Sequence, residues 1–189
     1  MAARTTRLAV LGAVRRLEPA TGYDVQSYLF GMAADRWLAL RSGSIYAMLQ
    51  SLRRESLTEA DPEDPARHVV TAAGHKEHDR LLVSALRVLP ETGDTAELRV
   101  ALHFADLLPV ETVRSALTDR LAAIESALGD ITARIDAAGP AATSPFVTHR
   151  AGLENALLRA QAEWLRNLLT EVLTPRRSRP RGAASGRRQ

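Results

Sequence analysis

The chain has 189 residues, enough for one generous domain or two small ones. It lacks cysteine, which excludes disulfides, thiol catalysis and cysteine-ligated zinc or iron–sulfur sites, and no apolar run approaches the roughly 18 residues of a membrane span. The net charge of +3 hides an uneven distribution: residues 174–189 hold six arginines and no acid, which leaves −3 on residues 1–173, split as +1 on 1–75 and −4 on 76–173. The high isoelectric point therefore reports mainly an Arg-rich tail, expected to be disordered, and is not by itself a sign of nucleic acid.

The first residues are basic and then apolar, which superficially resembles a secretory signal. Arg15 and Arg16 close the run early, and no small-residue cleavage pattern follows, so the expected address is the cytoplasm. Residues 6–17 read as a helix with Leu8, Leu11 and Val14 on one face, ended by Pro19. Thr21 and Asp24 stand at capping-box spacing and open a second helix, whose buried stripe is Val25, Leu29, Met32 and Ala33. A third helix starts near Gly43, capped by Ser42 or Ser44. Residues 57–60 and 68–71 read as two short strands joined by the turn-forming DPEDPAR.

From there on the pattern is helical. Thr71 caps a helix running to 89, residues 90–94 break it, 95–107 form the next, and Pro109 breaks again. Residues 110–138 form the longest helix, with Val113, Leu117, Leu121, Ile124, Leu128, Ile131 and Ile135 at alternating spacings of three and four. That is the seam of a coiled coil or long helical hairpin. After the loop 139–145, residues 148–173 form the last helix, with Leu153, Leu157, Trp164, Leu168 and Val172 at helical spacing. The short loop makes the two terminal helices antiparallel. Three helices, a hairpin and a further helix give a mainly α fold: a winged helix-turn-helix over 1–75, with its small β wing, followed by a helical dimerisation domain over 76–173 and the tail 174–189.

The third helix, GSIYAMLQSLRRESL, carries the most chemistry. Ile45, Leu49 and Leu52 share one face, while Tyr46, Gln50 and Arg53 share another at i, i+4 and i+7. A hydroxyl, an amide and a guanidinium are the donors that read base edges and phosphates. Arg41, Ser42 and Ser44 lie at the start of the same helix, where backbone N–H groups favour phosphate. Three acids at the wing tip (Asp61, Glu63, Asp64) are repelled by phosphate, which leaves Arg67 and His68 behind them as wing contacts. Tyr23 and Trp37 read as packing residues.

The order LGAV, GYDV, GSIYAMLQSLRRESL, then T-A-A-G, resembles the PadR family of bacterial transcriptional regulators. The matching positions are Gly22, Tyr23 and Asp24, an aromatic at Trp37, and the Gly-x-Ile-Tyr of Gly43, Ile45 and Tyr46. The helical half is similar too, in HFADLLP (103–109) and AEWLRNLL (162–169). Departures are Ala47, where the family usually has Pro, and Ser56–Leu57, where it usually has Gly-Leu. The resemblance implies a dimeric regulator, most often a repressor, that binds double-stranded DNA and is released by a small effector.

Dimer contacts are expected from Val113, Leu117, Leu121, Ile124, Leu128, Leu157, Trp164 and Leu168. Phe104 and Trp164 either line a pocket for a small apolar or aromatic effector or are ordinary core. His68, His75, His78 and Asp79 lack a fixed framework of further ligands, so no metal or other cofactor is expected, and no enzyme motif stands out. Two rival readings stay open. One is a winged-helix module that binds proteins, motivated by the near-neutral charge of 1–75. The other is a drug or phenolic sensor built mainly on the acidic helical half.

Overall fold

Helix α1 (Ala2–Leu17) is the axis on which both halves of the chain are assembled. The computed structural model describes residues 2–34, 38, 40–90, 95–138 and 145–171. Leu8, Leu11 and Val14 are at most 1% exposed, as their spacing requires, but Ala9, Val10 and Ala13 are as deeply buried. The helix is covered on several sides because α2 (Gly22–Gly31), α3 (Ser42–Arg54), α4 (Ala72–Arg87) and α5 (Ala96–His103) all pack on it. It starts four residues before the expected 6–17. Arg4 bonds Ser84 Oγ at 2.5 Å and pairs with Glu97 at 3.3 Å, so tertiary contacts hold a first turn that periodicity alone does not announce.

Past Leu17, a cis Glu18–Pro19 bond leads into strand β1 (Ala20–Thr21), which the sequence reading missed because two residues show no alternation. With β2 (Thr58–Ala60) and β3 (Arg67–Val70) it forms an antiparallel sheet in the order β1-β3-β2. The register pairs Ala20 with His68 on one side of β3 and Ala60 with His68 on the other. The hairpin acids build the wing turn: Asp61 Oδ1 accepts from the Glu63 N–H at 3.3 Å, and Asp64 Oδ1 from the Ala66 N–H at 3.0 Å.

Helix α2 opens on the expected capping box. Thr21 Oγ1 accepts from the Asp24 N–H at 3.1 Å, and the Thr21 N–H donates to Asp24 Oδ2 at 2.9 Å. Val25 and Leu29 are buried, but the helix stops at Gly31. Met32 and Ala33 fall beyond it and are only half-buried, because Ala33 turns left-handed (φ 54°) and ends the repeat. Trp37 lies outside the described residues.

Ser56 is also left-handed (φ 57°), just past the end of α3 and at the position where the resemblance places glycine. A non-glycine residue there costs about 1–2 kcal/mol, against which glycine would add about 0.4–1 kcal/mol of freedom to the unfolded chain. Ser56→Gly should therefore raise Tm by about 2–4 °C. A thermal melt that is unchanged or lower would show that the backbone at Ser56 carries no strain.

Helix α4 is capped by Thr71, whose Oγ1 accepts from the Gly74 N–H at 3.0 Å. The domain boundary expected at 75/76 falls inside this helix, which packs on α1 and on α6 (Val110–Ala138) alike. Its C-terminal end is capped by Arg120 of α6. The Arg120 side chain is 1% exposed, and Nη1 donates to the Ala85 and Val88 carbonyls at 3.2 and 2.5 Å. Burial pulls this guanidinium below its ordinary pKa, with Glu97 opposing.

The single helix expected over 95–107 is broken. α5 ends at His103, and a 3-10 turn (Ala105–Leu107) follows the fully buried Phe104. Helices α6 and α7 (Pro145–Glu171) then form the antiparallel hairpin, tied by Arg166–Glu125 at 2.6 Å. Among the described residues no helix is long and apolar enough to cross a membrane.

Candidate nucleic-acid interface

Helix α3 divides as its sequence demands. Ile45, Leu49 and Leu52 are at most 2% exposed, while Arg41, Ser42, Ser44, Tyr46, Gln50, Arg53 and Arg54 face outward. Burying three such side chains contributes about 1.5–3 kcal/mol each, enough to dock the helix and leave its other face free. Neither Ser42 nor Ser44 is the N-cap. Arg41 holds that position, and Ser44 reaches back so that its Oγ accepts from the Arg41 N–H at 3.1 Å and donates to the Arg41 carbonyl at 2.7 Å. The Ser44 hydroxyl thus serves the helix start.

Two contacts set the pose of α3. At its N-terminal end the Tyr46 ring lies across Gly22, where a Cβ would stand 2.6 Å from Tyr46 Cε1. At its C-terminal end Glu55 is held by the Arg7 guanidinium of α1 and by Ser51 Oγ at 2.9 Å. Arg7 keeps the Glu55 carboxyl below its usual pKa range. Sequence reading missed Arg7 as a clamp, since its partner lies 48 residues away.

On the wing, Arg67 and His68 are both engaged with the sheet. Arg67 Nε contacts Asp64 at 3.3 Å and Nη1 donates to the Pro19 carbonyl at 3.1 Å, so the side chain ties β3 to the chain before β1. His68 is half-buried in the sheet with Nδ1 unpartnered, and burial followed by the nearby Arg53 lowers its pKa. Burial therefore works against the charged form of His68 that a phosphate contact would favour.

Phe104 and Trp164 do not share a cavity. Phe104 is fully buried, edge-on to His78 and His103 with centroids 5.9 and 5.0 Å away, and it seats on Gly12, where a Cβ would come within 2.8 Å of its ring. His78 beside it is 0% exposed, and its pKa is pushed down to about 4, first by burial and then by Arg15, whose Nη1 lies 3.0 Å from Nδ1. Trp164 is 42% exposed on α7. An apolar recess of about 460 Å³ lies elsewhere, walled by Leu102, Leu108, Val113, Leu117 and Leu168, with Asp106 as its one carboxylate. Arg16 holds that carboxylate and keeps its pKa low.

The expected seam of α6 is largely consumed within the protomer. Val113, Leu117, Ile124 and Ile131 are at most 5% exposed, and Leu121, Leu128 and Leu168 are half-buried against the same core. The cause is that α6 lies between α4 and α7 and finds its partners in its own chain. The apolar face left open belongs to α7: Phe146, Leu153, Leu157 and Trp164 are 84, 61, 63 and 42% exposed. Their spacings of seven, four and seven form one stripe. Among the described residues no three His, Asp or Glu side chains converge as a metal site.

A third helix docked on α2 with its outer face exposed, and a hairpin beside its C-terminal end, defines the fold as a winged helix-turn-helix carried on a helical hairpin. No family model and no curated protein matches the chain. Among solved structures it is similar to Bacillus subtilis PadR, at 24% identity over 88% of this chain and 94% of that one, with a TM-score of 0.40. It is likewise similar to the complex of that protein with p-coumaric acid (24%, 87% and 96%, TM-score 0.40) and to its complex with operator DNA (21%, 86% and 96%, TM-score 0.36).

Proposed function

We propose that this chain is a DNA-binding transcriptional regulator of the PadR kind, a cytoplasmic homodimeric repressor and not an enzyme. The observation that carries the reading is the outward face of α3. Tyr46, Gln50, Arg53 and Arg54 are exposed on a helix whose other side is fully docked, so a rigid rod presents hydrogen-bond donors at groove spacing. Such a rod enters a major groove, and a twofold pair reads a near-palindrome with half-sites about one helical turn, or a multiple of it, apart. A small apolar effector, seated where helices of the second half leave apolar surface open, would shift the separation of the two rods and release DNA.

Titration of the duplex upstream of the protein's own gene, followed by fluorescence anisotropy across a salt series, tests the reading. Arg53→Gln should weaken binding to every sequence and reduce the salt slope by about 0.9. Gln50→Ala should instead cost about 1–3 kcal/mol at one base pair and leave the slope alone. If the unaltered protein shows no binding at low salt, the protein-binding reading of the winged helix replaces this one.

A further inference from the structure

Among the described residues of the winged half, two large side chains with apolar rings are left in solvent, Tyr46 at 43% and Tyr23 at 70%. They are not scattered. Gly22, the residue before Tyr23, is the one on which the Tyr46 ring rests. Tyr46 of α3 and Tyr23 in the first turn of α2 therefore belong to the same end of the helix pair, where α3 meets the start of α2. Sequence reading expects Tyr23 to pack, yet the α2 residues that pack are Val25 and Leu29, with Tyr28 and Phe30 partly buried against the same core.

We infer that Tyr23 is a further DNA-contact residue, a neutral hydrogen-bond donor to the sugar–phosphate backbone that fixes how deeply α3 enters the groove. The inference rests on the regulator reading above and names a contact that reading does not include. In a helix-turn-helix the first helix of the pair crosses the backbone while the second lies in the groove, so an exposed phenol on α2 meets phosphate and sugar instead of base edges. The neighbouring Asp24 does not oppose this. Both the N–H and Oγ1 of Thr21 donate to its Oδ2, at 2.9 and 2.7 Å, which turns the carboxylate back toward the start of α2, and Arg67 adds a favourable field. Tyr46, braced on Gly22, fixes the distance between the two contacts.

The phenol carries no charge, so its loss releases no counterion. That separates it from every arginine on the face. The test uses the full chain, a fluorescein-labelled mixed-sequence duplex of about thirty base pairs at low salt, and the variants Tyr23→Phe and Arg53→Gln. Tyr23→Phe should weaken binding about three- to ten-fold, leave the salt slope unchanged and leave Tm unchanged. Arg53→Gln in the same series should flatten the slope. If the unaltered protein binds and Tyr23→Phe binds equally well, the Tyr23 assignment fails alone. If Tyr23→Phe melts earlier than the parent, Tyr23 is a packing residue and the assignment fails. If the unaltered protein does not bind the duplex, the regulator reading fails and takes Tyr23 with it.

Discussion

Gly74→Ala should destabilise this protein by about 3 kcal/mol or more, a loss of about 6–12 °C in Tm. Gly74 is buried in the first turn of α4, and a Cβ built there stands 2.0 Å from the Leu57 carbonyl oxygen and 2.7 Å from Val70 Cγ1. The obstacle at 2.0 Å is backbone, so no rotamer change relieves it. Either α4 backs away or the start of β2 does, and both movements break the Thr71 N–H to Leu57 carbonyl bond, now 3.1 Å. Alanine would otherwise improve the helix by about 0.5–1 kcal/mol, a gain the overlap exceeds. Gly129→Ala is the control: it sits exposed within α6, with nothing within 4 Å of its Cβ, and should melt slightly higher. Circular dichroism melts of the two variants decide the matter, and a Gly74→Ala protein as stable as the parent would mean that α4 does not approach Leu57 this closely.

Gly74 also shows what the sequence makes legible. The short motifs LGAV, GYDV and T-A-A-G point to places where chain segments touch: Gly12 lies under Phe104 and His78, Gly22 under Tyr46, and Gly74 against Leu57. The two faces of α3 and the capping box at Thr21 are equally plain, because period and cap are local properties. Long-range pairing is not local. Arg7 with Glu55, Arg120 with the end of α4, and Arg67 with the Pro19 carbonyl join residues 32 to 48 apart, and an arginine-rich chain offers no signal as to which arginine is used. Helical spacing likewise reports that α6 is apolar on one side without reporting what covers that side.

In this protomer α6 is covered by α4 and α7, which leaves the α7 stripe as the open apolar face. If protomers pair through α7, then Leu157→Glu with Trp164→Glu should yield folded monomers, while charges at Leu121 and Leu128 should damage the protomer itself. Leu157 and Trp164 are 63 and 42% exposed in a stripe with Leu153 and Phe146, so charging them costs the monomer little and repels a second copy. Leu121 and Leu128 pack against the core that joins α6 to its neighbours, where a carboxylate must be desolvated or expel its surroundings. The double α7 variant should keep its Tm to within a few degrees at low concentration, sediment as a monomer, and bind a two-half-site duplex about 10²–10⁴-fold more weakly, because the second half-site is no longer engaged within the same molecule. Binding to a single half-site should be unaffected, since α3 and its braces at Gly22 and Arg7 are untouched. A variant that still sediments as a dimer would assign the interface to another surface, and one that loses single-half-site binding as well would show that the two halves of the chain do not act independently.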